Sequence, residues 1–458
     1  MPSSDGKLWT ANVANDETSI AAASLMRVLE GVAVATKAPD EHIQPLAQWL
    51  RHYGVVEGND SPLGITATDT ESALDLALPF DEWRAAIASS SENCNEGVRQ
   101  LAQVTLAVAL LREKARRGLD VDTASLDTIW SLIYEAIISA QGTELQFTVS
   151  RSAQGFLAVP LCSLLKDGRI EELWRLHTWL PDEQRGVSED VCIHAHQPFG
   201  QSWILLGCGT DCAFEVDSPD DPSLTTHAAY ECCYAGADGK QSGSGYQTHQ
   251  ISSTIKNTGR LVRVTPVSRE PHSRDMTYIV SGGAYHRSIV SGSRLHATLF
   301  VFDAHRGYDD TAAVLGPKDG SEYLQPRDPA GITPEALAQM VGVTRKWEQA
   351  QGVKREGNDE HATVMGYYRF FRGLGLLQAG HREDALSYFN PTKGCTPTQA
   401  FAREPSQQHR DYIRKLIEVG ADLDIVDESG YKALDYAVHN GDTETEALIL
   451  GRPSAAFS

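Results

Sequence analysis

The sequence has little of what would place it in several large classes. Its 458 residues include 8 cysteines and 5 methionines. The cysteines follow no framework spacing, so reduced thiols are expected rather than a disulfide-stapled scaffold. Basic residues are scarce, with 40 Lys and Arg against 61 Asp and Glu, net −21. That balance argues against a nucleic-acid surface and against a polybasic membrane patch. No apolar run reaches bilayer length: the longest helical one, Leu101–Leu111, is interrupted by Gln103 and Thr105. Met1 to Lys7 is polar and leads into no apolar segment, so no secretion signal is expected and the chain reads as cytoplasmic. No Gly-x-Ser-x-Gly elbow is present, and no Lys-Ser/Thr follows the Gly207–Gly209 turn, which leaves serine-hydrolase and phosphate-loop chemistry without support.

What is present points to an α+β multidomain chain, with room for roughly two to four domains at this length. Residues 1–144 read as a helical N-terminal region. Ala, Leu and Ile recur at three- and four-residue spacing in Ser19–Ala35, Asp81–Ser89, Glu96–Arg117 and Ala124–Ala140. About half of the acid excess falls here, 21 acidic against 10 basic residues in positions 1–150, which speaks to solubility rather than to a site. Residues 145–332 change texture to short strands: Gln146–Val149, Val191–His196, Ser202–Leu206, Leu261–Val267, Thr277–Val280 and Ala297–Phe302. One helix is expected around Gly168–Leu176, and residues 304–332 read as a loop or wrap. Residues 333–389 form a helical connector that opens at Thr333-Pro334-Glu335, an N-cap followed by Pro at the first helical position.

Residues 390–458 contain a repeat. Gly394-Cys395-Thr396-Pro397-Thr398-Gln399-Ala400-Phe401 aligns with Gly430-Tyr431-Lys432-Ala433-Leu434-Asp435-Tyr436-Ala437, and Gly420-Ala421-Asp422 lies between them. This resembles the ankyrin repeat, whose helix opens with a Thr-Pro-Leu-His-x-Ala-like run. The resemblance implies protein contacts through this end of the chain.

The chemistry candidate is Ile193-His194-Ala195-His196, followed by Gln201, Trp203 and Gly207. On a strand, residues i and i+2 share a face, so His194 and His196 project together. A third histidine comes later, in Ser281-Gly282-Gly283-Ala284-Tyr285-His286, after a tight glycine turn. These residues resemble the two motifs of the cupin superfamily, over about Val187–Phe302. That likeness implies a jelly-roll β-barrel with a metal on His194, His196 and His286. Gln201 stands where the family usually has Glu. The 89 residues between His196 and His286 exceed the usual spacing and imply an insertion around Asp217–Gln250. Loss of the acidic ligand favours anionic ligands on the metal. Iron(II) suits the analogy best, with zinc, manganese, nickel and copper also compatible with imidazole.

A three-histidine cupin is also similar to the thiol dioxygenases, which lack the acidic ligand. Their Ser-x-His-x-Tyr run corresponds here to Arg294-Leu295-His296-Ala297-Thr298, without the Ser and the Tyr. The resemblance implies a hydrogen-bonding or acid/base role for His296. Arg294 is a candidate carboxylate holder, and Gln201 would orient a ligand. His227 and His249 are further acid/base candidates beside the insertion. Trp203, Tyr285, Thr298 and Phe300 are candidate pocket residues. Two functions stay open: a metal-dependent enzyme of oxygenase type on a small, partly apolar substrate, and a non-catalytic binding or scaffold protein that works through its ankyrin-like end. Oligomeric state is not legible.

Overall fold

A computed structural model describes residues 17–53, 76–91, 95–140, 143–152, 154–184, 191–234, 246, 248–249, 252–326, 332–351 and 358–451. Their contacts divide the chain into two compact units. The first comprises residues 1–179, 185–290 and 296–330, and the second residues 180–184, 291–295 and 331–458. Residues 235–245 of the expected insertion lie outside the described residues.

The first unit opens with β1 (Ser19–Ala21), α1 (Ala22–Thr36), α2 (Asp40–His52), β2 (Ala77–Pro79), α3 (Phe80–Ser91), α4 (Glu96–Arg116) and α5 (Thr123–Ile138). Asn95 caps α4 by accepting from the Val98 N–H at 2.9 Å, and Asp122 caps α5 by accepting from Ser125 at 2.8 Å. Leu101, Val104, Leu106, Val108 and Leu110 of α4 are all buried, so this helix is apolar around most of its girth and sits inside the unit.

The strands follow: β3 (Ser150–Arg151), β4 (Leu157–Lys166), β5 (Arg169–Trp179), β6 (Pro198–Leu206), β7 (Cys208–Asp217), β8 (His227–Tyr234), β9 (Ser252–Ser273), β10 (Thr277–Val280), β11 (Tyr285–Ile289), β12 (His296–Tyr308), β13 (Val314–Gly316) and β14 (Glu322–Pro326). They form two antiparallel six-stranded sheets. The first has the order β10-β6-β12-β5-β4-β3. The second has the order β11-β7-β9-β8-β13, with β14 paired to β9.

Three expectations are corrected. The helix expected at Gly168–Leu176 is β5, reached from β4 through Asp167 (φ 50°) and Gly168 (φ 75°). Positive φ at both central residues is the two-residue hairpin turn that Asp-Gly favours. The expected loop over 304–332 holds the end of β12 together with β13 and β14. Of the strand expected at Val191–His196, only an isolated bridge at His194 forms.

The first sheet is buried on both faces along most of β4 and β5. Its outer face meets the helices, where α1 packs along β4. There Glu172 of β5 accepts Arg112 Nε and Nη2 of α4 at 2.8 and 2.9 Å, and Arg116 Nη2 at 2.8 Å. Arg116 also reaches Asp303 of β12 at 3.3 Å. The inner face lines a cavity shared with the second sheet.

The second unit holds α6 (Pro334–Gln351), α7 (Asn358–Gln378), α8 (Arg382–Phe389), α9 (Pro397–Arg403), α10 (Gln407–Val419), α11 (Ala433–His439) and α12 (Thr443–Ile449). The pair α9–α10 recurs as α11–α12 at an offset of 36 residues, Pro397 to Ala433 and Gln407 to Thr443. Both pairs are preceded by a left-handed glycine, Gly394 at φ 74° and Gly430 at φ 80°.

Candidate metal centre

The cavity measures 610 Å³ and is walled by both sheets of the first unit. His194, His196 and His286 stand in its wall, with one ring nitrogen from each lying within 4.8 Å of the others. Backbone pairing sets this convergence. His194 and His286 exchange both main-chain hydrogen bonds, His194 N–H to His286 O at 3.1 Å and the reverse at 2.9 Å. The Gly283 N–H donates to His196 O at 2.8 Å, which ties the glycine turn to the second histidine. Gly283 has φ 78°, and a Cβ there would collide with the Asp309 carboxylate; a Cβ at Gly282 would meet Gln197 O at 2.7 Å. Only glycine fits this corner.

The rings are oriented by the backbone as well. His194 Nδ1 lies 3.0 Å from Cys192 O, and His286 Nδ1 lies 3.4 Å from Ala284 O. A carbonyl partner selects the Nδ1–H tautomer and leaves Nε2 with its lone pair. His194 Nε2 and His196 Nε2 are 3.0 Å apart. Two nitrogens that share a metal at about 2.1 Å are separated by about 3.0–3.4 Å, so the donor set fits a metal ion. His196 Nδ1 is buried with no hydrogen-bond partner.

His286 is buried, while His194 and His196 keep some surface toward the cavity. Burial lowers His194 to about 3, with His286 adding repulsion against the Cys192 hydrogen bond. Burial lowers His286 to about 4. His196 is held well below the usual imidazole range by burial and then by its histidine neighbours. All three are neutral at pH 7, as ligation requires. One other group of the kind occurs among the described residues, Glu41, His42 and Glu144, but both its carboxylates are exposed.

Around the histidines the cavity is aromatic. Phe156 stacks on His177 with centroids 4.0 Å apart, and His177 stacks on Phe300 at 4.7 Å. Phe302 stands edge-on to His196 at 4.7 Å. Arg175, buried in the same wall, donates to the Tyr246 hydroxyl and lies over its ring at 5.3 Å.

Of the residues singled out in the sequence, His194, His196, His286 and Phe300 line this cavity. Gln201 does not. Its side chain accepts from Arg306 at 2.5 Å, and it shares a strand face with Trp203, which stacks on Trp174 beside Glu172 on the helix-covered side. Trp203 lies on that same side. His296 and Thr298 are buried in β12, with His296 against Trp179 at 5.2 Å, and neither lines the cavity. Arg294 is exposed in the turn before β12. Tyr285 packs against the Ala229, Val262 and Leu315 cluster on the other face of β11. His227 lies half-buried at the start of β8, bonded to Thr226, and His249 contacts Val34 O of α1 at 3.3 Å.

The residues that sequence reasoning missed are Arg175 and His177, because β5 read as a helix. The Asp167-Gly168 pair was the available signal. No protein-family model matches the chain, and a search of curated proteins finds no match. Among the described residues, every cysteine is a free thiol, and no helix is long and apolar enough to cross a membrane.

Proposed function

We propose that the chain is a metal-dependent enzyme of the cupin type, acting on a small, partly apolar molecule. The observation that carries this reading is the convergence of three enclosed, neutral imidazoles on the wall of a 610 Å³ cavity. His194, His196 and His286 would hold a divalent transition metal, iron(II) first by analogy, which supplies Lewis-acid or oxygenase-type redox chemistry when bound. The chain's own residues do the rest. Phe156, Phe300 and Phe302 receive an apolar body and exclude water. Arg175 and Tyr246 offer polar hydrogens that fix its orientation. A thiol-dioxygenase-like reaction is the narrower version. It draws no support from Arg294, His296 and Thr298, none of which lines the cavity.

Metal analysis of protein expressed with iron, zinc and manganese supplied tests the reading. About one metal per chain is expected, and His194→Ala and His286→Ala should lose it. A metal-free wild type would remove the proposal.

A second reading attaches to the other unit. The 36-residue offset of α9–α10 and α11–α12, the glycines before them and the Thr396–Gln399 capping box support an ankyrin-like pair. A scaffold role for it predicts one cross-linked protein partner that Tyr431→Ala loses, since Tyr431 is an exposed aromatic at the second repeat's turn. An identical cross-linking pattern in that variant counts against the role.

A further inference from the structure

One part of the cavity wall carries a run of hydroxyls that the metal reading leaves unused. Ser288 stands two residues beyond His286 on β11, so the two side chains leave the same face about 7 Å apart. Both line the cavity. The Ser288 hydroxyl donates to Asp211 Oδ1 at 3.1 Å, and Asp211 is its partner across the β7–β11 ladder. From the facing sheet, Tyr278 of β10 also lines the cavity. Its side chain interacts with Ser288 and with Ser202, its own ladder partner on β6. The His272 ring lies nearly parallel to the Tyr278 ring, 4.4 Å away, and neither of its nitrogens has a hydrogen-bond partner. Hydroxyls on the cavity wall, Tyr278 and Ser288, therefore lead to a carboxylate.

We propose that Tyr278, Ser288 and Asp211 form a proton relay that takes up the proton of a protic substrate group (a hydroxyl, thiol or enol) as that group ionises beside the histidines. The relay rests on the metal-site reading for what drives the ionisation, and it supplies the proton's destination. The substrate's X–H bond breaks and its electron pair stays on X. The proton passes to the Tyr278 oxygen, the Tyr278 proton to Ser288, and the Ser288 proton to Asp211. The net change is substrate plus Asp211 carboxylate to ionised substrate plus Asp211 carboxylic acid, with no electron transfer and no further reactant.

The acceptor suits this use. Burial raises Asp211 to about 6, against the Ser288 hydrogen bond and His272 and with help from Glu270. A base poised near the working pH gives the best compromise between availability and strength. The groups facing it are Ser288 from β11, Glu270 and His272 from β9, and Tyr278 from β10. The competing account is a cross-sheet hydrogen-bond tie with no proton movement.

Two measurements decide between them. The first needs no ligand: infrared titration of ¹³C-aspartate-labelled wild-type protein against Asp211→Asn. A carboxyl that titrates near 6 and is missing from the variant supports the relay. One that titrates at the ordinary value of about 4 overturns it, because it could hold no proton at neutral pH. The second uses zinc-loaded protein and 4-nitrocatechol, whose colour reports its ionised form. Ser288→Ala, and Tyr278→Phe as a second variant that keeps the ring, should slow the colour change by about tenfold or more in stopped flow. Equal rates leave only the cross-sheet tie. If nitrocatechol does not bind, the metal-site reading loses support, and the infrared titration still decides the relay.

Discussion

Titrating metal-free protein with zinc from pH 8 down to pH 4 tests the electrostatics of the three histidines directly. An imidazole with the ordinary pKa of about 6.5 is protonated at pH 5, and displacing that proton weakens binding about 30-fold per ligand. Three such ligands would cost about four and a half orders of magnitude. Here burial lowers His194 to about 3 and His286 to about 4, and holds His196 well below the usual range. These rings are neutral already at pH 5, so the metal has no proton to displace. Affinity should stay flat within a few-fold between pH 8 and pH 5 and fall only as pH approaches 4. Calorimetry at pH 6 should register almost no proton release. A steep loss between pH 7 and pH 6, with two or three protons released, would refute the argument from enclosure. The same shifts give the metal-free fold a definite sign of pH dependence. The unfolded chain takes up protons below about 6.5 while the folded chain does not. The stability these groups contribute is therefore present above that pH. It falls with further acidification by about 1.4 kcal/mol per pH unit for each histidine, until the folded values are reached.

Three further outcomes follow from the packing. Gln201→Ala should leave metal content and affinity unchanged, because its side chain meets Arg306 on the helix-covered side of the sheet; lost metal would mean that the amide reaches the histidines. Glu172→Gln should cost about 3–5 kcal/mol in urea unfolding, since it removes the buried carboxylate that Arg112 and Arg116 share. Burial acts to raise Glu172, but Arg112 and Arg116 prevail and hold it below the usual carboxylate value, so its contribution is present above about pH 4.5 and is lost below that. A loss under about 1 kcal/mol would show that water reaches this cluster. Gly31→Ala should destabilise by about 1–3 kcal/mol, although alanine normally gains about 1 kcal/mol over glycine inside a helix. The added Cβ would run into Cys162 Sγ and lie 3.0 Å from Leu164 Cγ on β4. A stabilised variant would show that α1 shifts freely on the sheet.

The histidines were legible because their convergence is local. His194 and His196 are two residues apart, and the turn that returns His286 to them is written in Gly282-Gly283, where no Cβ fits. Gln201 was misread for a reason of the same scale. Between His196 and β6 the chain turns a corner at Gln197, and alternation counted from one segment does not carry its phase into the next. Along β12, His296, Thr298 and Phe300 do share a face, yet only Phe300 lies where the cavity is wide enough to be lined. The helices were legible from spacing alone: Glu96–Arg117 was expected and α4 spans Glu96–Arg116.

β5 failed for a deeper reason. Its outer face lies under helices and its inner face lines the cavity, so apolar residues fall on both sides. Leu173, Trp174 and Leu176 then imitate the three- and four-residue spacing of a helix. In a strand enclosed on both faces, however, a charged and a titratable side chain two residues apart must point together into something polar or open. Arg175 and His177 are that pair. The Asp-Gly turn at 167–168 identifies the strand, and once it is a strand these two residues locate the cavity before any histidine motif is consulted.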